Sequence, residues 1–180
     1  MSEQLTYVKG LEQLTAALKS LPAKVATRTL RRAVSAGAAV IRDAARANAP
    51  TAERIIKRGG GVVTLPGTLK KSIVIKYVPS NSNDNQVQYV VAIRKGKRLQ
   101  KSGRDAFYAS FVEFGHKLVP RRTSATPGRL RSRQQQATAS GAEVRGYRYL
   151  TRAIDQYHGA AVDKIRDALA SELAKLPEFK

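Results

Sequence analysis

"SIVIKYVPSNSNDNQVQYVVAIR", Ser72–Arg94, stands between two stretches of helical periodicity and decides whether the chain is all helix or mixed. In its first arm Ile73, Ile75 and Tyr77 alternate with Val74, Lys76 and Val78. In its second, Val87, Tyr89, Val91 and Ile93 alternate with Gln88, Val90, Ala92 and Arg94. Alternation with period two in β-branched and aromatic residues is the pattern of a strand. The intervening "PSNSNDNQ" is almost entirely turn formers, so the two runs predict an antiparallel hairpin with a long tip. A lone hairpin is marginal, which calls for a further strand near Val62-Val63 or just before Tyr147.

Helical periodicity fills the flanks. "GLEQLTAALKSLP" places Leu11, Leu14, Leu18 and Leu21 on one face and stops at Pro22. The next run, as far as Pro50, repeats Val25, Leu30, Ala33, Val34, Gly37, Ile41, Ala44 and Ala45 at helical spacing. Arg28, Arg31, Arg32, Arg42 and Arg46 fall largely off that stripe. Gly37 costs a helix roughly 1 kcal/mol against alanine, so a closely packed neighbour is its expected compensation. The last helix carries Leu150, Ile154, Tyr157, Ala161, Ile165, Leu169 and Leu173 as its apolar stripe.

The economical packing is α+β, a small antiparallel sheet with the two long helices across one face and basic loops projecting from it. A single domain over 1–180 holds this plan. It places helices at 10–49, the hairpin at 72–94, a basic loop at 94–106, a short helix at 107–115, a basic arm at 116–146 and the C-terminal helix at 147–176.

Thirty-three Lys and Arg against 13 Asp and Glu leave the chain at +20. Such a charge repels itself unless a polyanion or an acidic surface offsets it. The cations gather in two loops, 94–104 and 117–148, rather than on helix exteriors. The second has eight Lys and Arg against the single acid Glu143 and no hydrophobic period, so it reads as a basic arm. Candidate contacts to DNA or to an acidic partner are Lys95, Lys97, Arg98, Lys101 and Arg104 in the loop. Arg121, Arg122, Arg129, Arg131 and Arg133 are the candidates in the arm. No aromatics interleave these cations for base stacking, and no helix-turn-helix, zinc-finger or RNA-recognition pattern accompanies them. Base-specific reading is therefore not expected.

The chain has no cysteine, which excludes a disulfide framework, thiol catalysis and Cys-ligated zinc. No apolar run approaches the roughly 20 residues that cross a bilayer, and "MSEQLTYVKG" lacks the layout of a signal peptide. A soluble protein made in the cytosol is the expectation. His116 and His158 stand without neighbours at metal-ligand spacing. "RGGGVVTLPGTLKKS" has glycines and Lys-Lys-Ser but not the order of a phosphate-binding loop. Neither an enzyme nor a cofactor is expected, and a metal-dependent nuclease built on Glu113 and His116 is the weakest alternative.

"FYASFVEFGHK", Phe107–Lys117, concentrates the chain's few aromatics around one acid. It reads as a short helix with Phe107, Phe111 and Phe114 on one side, anchoring the element to its own domain, and Gly115 as a C-terminal cap. Glu113 falls off the Phe stripe near the helix end, where the dipole opposes an anion, so a cationic partner is expected for it.

"YASFVEFG", Tyr108–Gly115, resembles the "Y-A-x-x-V-E-F-G-T" signature of the HK97 gp10-like proteins of tailed bacteriophages, which are tail-completion or head–tail joining components. The order of weaker motifs agrees. Gly10–Pro22 is similar to the family's opening "G-L-x-x-L-x-x-L-x-x-L-P", and Ala45–Pro50 to the "A-x-x-x-A-P" that ends its Ala-rich helix. Gly67, Leu69, Ser72 and Ile73 match "G-x-L-x-x-S-I"; Arg148, Tyr149, Leu150 and Ala153 match the lead into the last helix. His116 departs from the usual Thr or Ser, and a basic insertion of about thirty residues, Lys117–Gly146, replaces a short join.

The resemblance implies a non-enzymatic structural protein of the virion neck, present in the host cytoplasm during assembly. It implies a ring, sixfold to match the tail tube. The implied partners are further copies of the chain, head-completion or adaptor rings, tail-terminator or tube rings, and packaged DNA, with no membrane. Tyr108, Phe111, Glu113, Phe114, Gly115, Arg148 and Tyr149 become candidates for the subunit interface, with Glu113 meeting a cation of the next subunit or ring. The charge leaves open an alternative, a free-standing nucleic-acid-binding protein without sequence preference.

Overall fold

The computed structural model describes residues 11–53, 56–58, 61–83, 86–96, 98–99, 102, 104–117 and 143–175. The fold is α+β. Among the described residues its helices are α1 (Leu11–Ser20), α2 (Ala23–Asn48), α3 (Thr68–Ser72), α4 (Ala109–Phe114) and α5 (Tyr149–Leu173). The strands among them are β1 (Ile56–Arg58), β2 (Gly61–Thr64), β3 (Ile73–Tyr77), β4 (Tyr89–Ile93), β5 (Gly115–Lys117) and β6 (Glu143–Arg145), joined in three two-stranded ladders, β1–β2, β3–β4 and β5–β6. The chain divides into two compact units. One holds the described residues of 11–47, 73–92 and 153–175, the other those of 48–72 and 93–152.

In the first unit, Pro22 ends one helix and opens the next. Its ring cannot continue α1, and its carbonyl accepts the N–H groups of Val25 and Ala26 at 2.9 and 3.0 Å. The turn carries Leu21 into a buried cluster with Ala33, Leu169 and Leu173, around which Leu18, Val25, Ala26, Ile165 and Ala168 pack. The two long helices α2 and α5 therefore pack on each other. At the rim of this contact Glu172 of α5 accepts from Arg32 of α2 and from Lys175. The Lys175 and Arg32 hydrogen bonds hold its carboxyl down to about 2.

Gly37 marks the closest approach of α2 and α5. A β-carbon there would overlap the Ile165 side chain and stand 2.7 Å from the carbonyl oxygen of Ala161. Gly37→Ala should therefore reverse the usual sign of a glycine-to-alanine change in a helix. Propensity returns about 1 kcal/mol, overpacking against backbone costs about 1–3, and a net loss of about 1 kcal/mol is expected in urea unfolding. A gain in stability would show that the helices do not meet at this residue.

The apolar stripe expected on α5 holds at Ala161, Leu169 and Leu173, which are buried, and fails at its start. Ile154 and Tyr157 are 53% and 42% exposed, while Ala153 is fully buried in their stead. A spacing of four drifts around a helix of 3.6 residues per turn, so a stripe drawn over six turns leaves the inward face at one end.

The hairpin forms as the alternation predicts. Arg94 N–H donates to Ser72 O at 2.8 Å and Val78 N–H to Gln88 O at 3.0 Å, an antiparallel register. Ser82 closes the tip, its hydroxyl donating to Val78 O at 2.7 Å and accepting Gln88 N–H at 3.0 Å. Strands do occur near Val62-Val63 and just before Tyr147, but each pairs in its own ladder and neither joins the hairpin. Support for the hairpin comes instead from α2. Arg46 donates twice to Ile73 O, at 3.1 and 2.7 Å, and the Arg31 guanidinium lies 4.5 Å from the Tyr77 ring centre while donating to its hydroxyl at 2.7 Å.

The second unit gathers short elements around Leu69, Ala106, Ala109 and Tyr149, all buried. Gly67, at φ +73, lets the chain turn into α3, where Ser72 Oγ donates to Thr68 O at 2.7 Å. The segment expected as a basic arm is tethered at its base. Gly115, His116 and Lys117 pair with Arg145, Val144 and Glu143, which sets Lys117 opposite Glu143. The intervening 118–142 lies outside the described residues. Among the described residues no helix is long and apolar enough to cross a membrane.

Candidate functional site

α4 is one and a half turns long, and everything around it depends on which side it buries. Ala109 N–H donates to Ala106 O, Val112 N–H to Tyr108 O, and Gly115 N–H closes the helix on Phe111 O. Ala109 and Glu113, four apart, face inward at 2% and 3% exposure. Phe107, Phe111 and Phe114 face out at 48%, 52% and 79%. The three rings were expected to anchor the helix, and the structure corrects this: periodicity groups them on one side but does not say which side is inside.

Glu113 turns inward because it has a helix end to serve. Its Oε2 accepts Leu150 N–H at 2.9 Å, and its Oε1 accepts Thr151 N–H at 3.0 Å and the Thr151 hydroxyl at 2.8 Å. Arg148 O accepts Arg152 N–H, the first bond of α5, so Arg148 is the N-cap residue and Leu150 and Thr151 are the second and third helical positions. Their N–H groups are the ones an N-cap side chain normally satisfies. An arginine has no acceptor to offer, and Glu113 supplies it from another element. The anion also sits at the positive end of the α5 dipole. Among the described residues, its partners are backbone amides and a hydroxyl, not the cation expected.

The backbone reciprocates. Tyr147 N–H donates to Val112 O at 2.7 Å and Arg148 N–H to Glu113 O at 3.0 Å, which satisfies carbonyls left open at the end of α4. Arg148 takes φ +51 to do so, a left-handed conformation uncommon outside glycine. Beneath it Tyr149 is fully buried, its hydroxyl 3.4 Å from Ala109 O. Burial first, then the Glu113 carboxylate and the Tyr108 phenol, push the Tyr149 phenol up to about 12. Burial likewise raises Tyr108, opposed by a hydrogen bond to the Leu69 backbone.

Two glycines let these pieces meet. Gly115 follows α4 as the cap the sequence suggested, but at φ +83 and ψ −179 rather than in a helical left-handed turn. That region is open in practice only to glycine. Gly146 lies against it, and a β-carbon on Gly146 would overlap Glu113 O and stand 2.6 Å from Phe114 C and 2.7 Å from Gly115 N.

Of the seven residues expected at an interface, the structure brings all into this lock and its surface. Glu113 and Tyr149 lie beneath, Tyr108 and Gly115 are half-buried, and Phe111, Phe114 and Arg148 are exposed. His116 is exposed with its ring 5.5 Å from that of Phe111. Among the described residues no group of three or more His, Cys, Asp and Glu is arranged to hold a metal ion. Thr151 and Gly146 were missed. Thr151 could have been found as a hydroxyl at the third helical position, but nothing local marks Gly146.

The basic loop places Lys95, Arg98 and Arg104 at the surface. Lys97 and Lys101, with Arg121, Arg122, Arg129, Arg131 and Arg133 of the arm, lie outside the described residues. Residues 12–115 match the model of the HK97-gp10-like family, described as a bacteriophage tail component. The matched span ends at Gly115, where β5 opens toward the long connection to β6. No curated protein and no solved structure matches the chain.

Proposed function

Because the chain belongs to the HK97-gp10-like family of bacteriophage tail components, we propose that it is a ring-forming subunit at the junction of head and tail. The observation that supports this most is the outward row of Phe107, Phe111 and Phe114, joined on the same unit by exposed Val144 and Tyr147. Fully burying a Phe side chain is worth about 1.5–3 kcal/mol. A helix that spends its carboxylate inside and leaves Phe111 and Phe114 outside, with Phe107 exposed just before it, is arranged for another surface.

Closure into a ring needs a heterologous contact, one patch on each copy meeting a different patch on the next. The exposed Ile154 and Tyr157, three apart on α5, offer an apolar second patch. Phe111, Phe114, Tyr108 and Arg148 would form the contact, and Glu113, Gly115 and Tyr149 would hold the elements that present it. Six copies would match a sixfold tail tube, with the ring seated between head-completion or adaptor rings and tail-terminator or tube rings. The chain would reach this place from the host cytoplasm during assembly, and its cations would face packaged DNA.

Image reconstruction of the particle neck tests the place and the symmetry. Mass measurement in solution tests the contact: Phe111→Ser with Phe114→Ser should leave a folded monomer where the native chain forms rings. A native chain that stays monomeric and is absent from the neck would overturn the reading. If that chain instead bound duplex DNA tightly, its cations would favour the alternative, a free-standing nucleic-acid-binding protein.

A further inference from the structure

We propose that the second unit carries a built subsite for a nucleic-acid phosphate, a cleft of about 560 Å³ lined by Lys71, Arg94 and Arg104 and by Leu65, Pro66 and Leu99. Lys71 belongs to α3, and the two arginines stand at the ends of the basic loop. Backbone hydrogen bonds bring them together. Arg94 N–H is tied to Ser72 O at 2.8 Å, while Leu99 N–H donates to Gly96 O and Arg104 N–H to Leu99 O, both at 2.9 Å. A site whose frame is fixed before the ligand arrives loses less on binding.

Among the described residues, Asp105, the acid nearest in sequence, pairs with none of the three cations. Asp105 is 2% exposed and spends an oxygen on Gly96 N–H at 3.1 Å, which holds the loop closed. Among the described residues no carboxylate lines the cleft and none of the three cations forms an ion pair. Arginine forks and a lysine point charge suit phosphate oxygens. The volume lies in the range of small-ligand clefts and exceeds what one carboxylate fills. Apolar side chains lining the same cleft as the cations suit the carbon face of a sugar next to a phosphate. Lys95 and Arg98, exposed on the same loop, continue the charge beyond the cleft. These features favour the repeating backbone of a nucleic acid over an acidic side chain, and among the described residues no aromatic in the lining offers base stacking.

The proposal deepens the contact with packaged DNA suggested above and rests on it, but its test is independent of ring formation. Binding of a 20-base-pair duplex is measured by fluorescence anisotropy across salt concentration. The triple variant Lys71→Gln, Arg94→Gln, Arg104→Gln should weaken affinity at least tenfold and flatten the log–log salt slope by about 0.9 for each contact removed. Lys24→Gln, Arg28→Gln, Lys164→Gln removes the same charge from exposed positions on the other unit and should do neither. Equal losses in the two triples would overturn the subsite. So would tighter binding of poly-glutamate than of duplex, or of ATP without duplex. Circular dichroism confirms that each variant is folded, and the singles Arg94→Gln and Arg104→Gln give the same slope test if the triple is not. A ring that assembles without binding DNA would sink the subsite alone.

Discussion

Glu113→Ala is expected to lower the stability of the isolated chain by about 3 kcal/mol, more than any other single change at an acid. Three hydrogen bonds to an ionised carboxylate are lost at once, and bonds to charged groups contribute about 1.5–3 kcal/mol each when removed singly. They are not additive here, because all three serve one helix end, and loss of an N-cap costs about 0.5–2 kcal/mol. The truncated side chain also leaves a void where Glu113 was 3% exposed. Glu113→Gln should cost less, about 1–2 kcal/mol. It keeps the shape and one acceptor, but its amide NH₂ must face an N–H donor. Urea unfolding followed by helical signal gives the magnitude, and hydrogen exchange at Leu150 and Thr151 gives the place. Unchanged folding with weakened assembly would return Glu113 to the subunit interface and defeat the capping role.

The α+β plan was legible because its evidence is local. Alternation between Ile73 and Tyr77 and between Tyr89 and Ile93 specifies strands without knowledge of the rest of the chain. Gly37 in a long helix announced a close neighbour, and Ala161 with Ile165 is that neighbour. Glu113 was legible as an anomaly but not as a solution. The dipole argument against an anion at the end of α4 is correct, and the same physics favours it at the start of α5. The amides it binds are 37 and 38 positions away in sequence, across an insertion with no periodicity. No local pattern could join them. The Phe stripe failed for a related reason. A side chain's own hydrophobicity predicts burial only until a carboxylate with fixed donors competes for the same face.

Gly146→Ala should cost about 2–4 kcal/mol, although nothing about the residue in sequence suggests it. Gly146 does not have a positive φ, so alanine fits its backbone conformation and would even reduce the freedom of the unfolded chain. Space decides the sign. The added methyl would meet Glu113 O, Phe114 C and Gly115 N, and all three are backbone atoms that cannot swing aside as a side chain would. Relief requires the 146–148 segment to draw back from α4. That movement lengthens Tyr147 N–H to Val112 O and Arg148 N–H to Glu113 O, and it carries Leu150 and Thr151 away from the Glu113 carboxylate. One methyl therefore loosens five hydrogen bonds, those two and the three at Glu113, where Glu113→Ala removes three. Gly115→Ala adds backbone strain at φ +83 to a collision of its own with Val144 O and Gly146 N and should be at least as severe. Two measurements separate this account from a merely crowded loop. Exchange should rise together at Tyr147, Arg148, Leu150 and Thr151. Glu113→Gln should also cost much less in the Gly146→Ala background than alone, because the cap it weakens is already open. Full additivity of the two changes would mean that the glycine contact and the carboxylate cap are separate features.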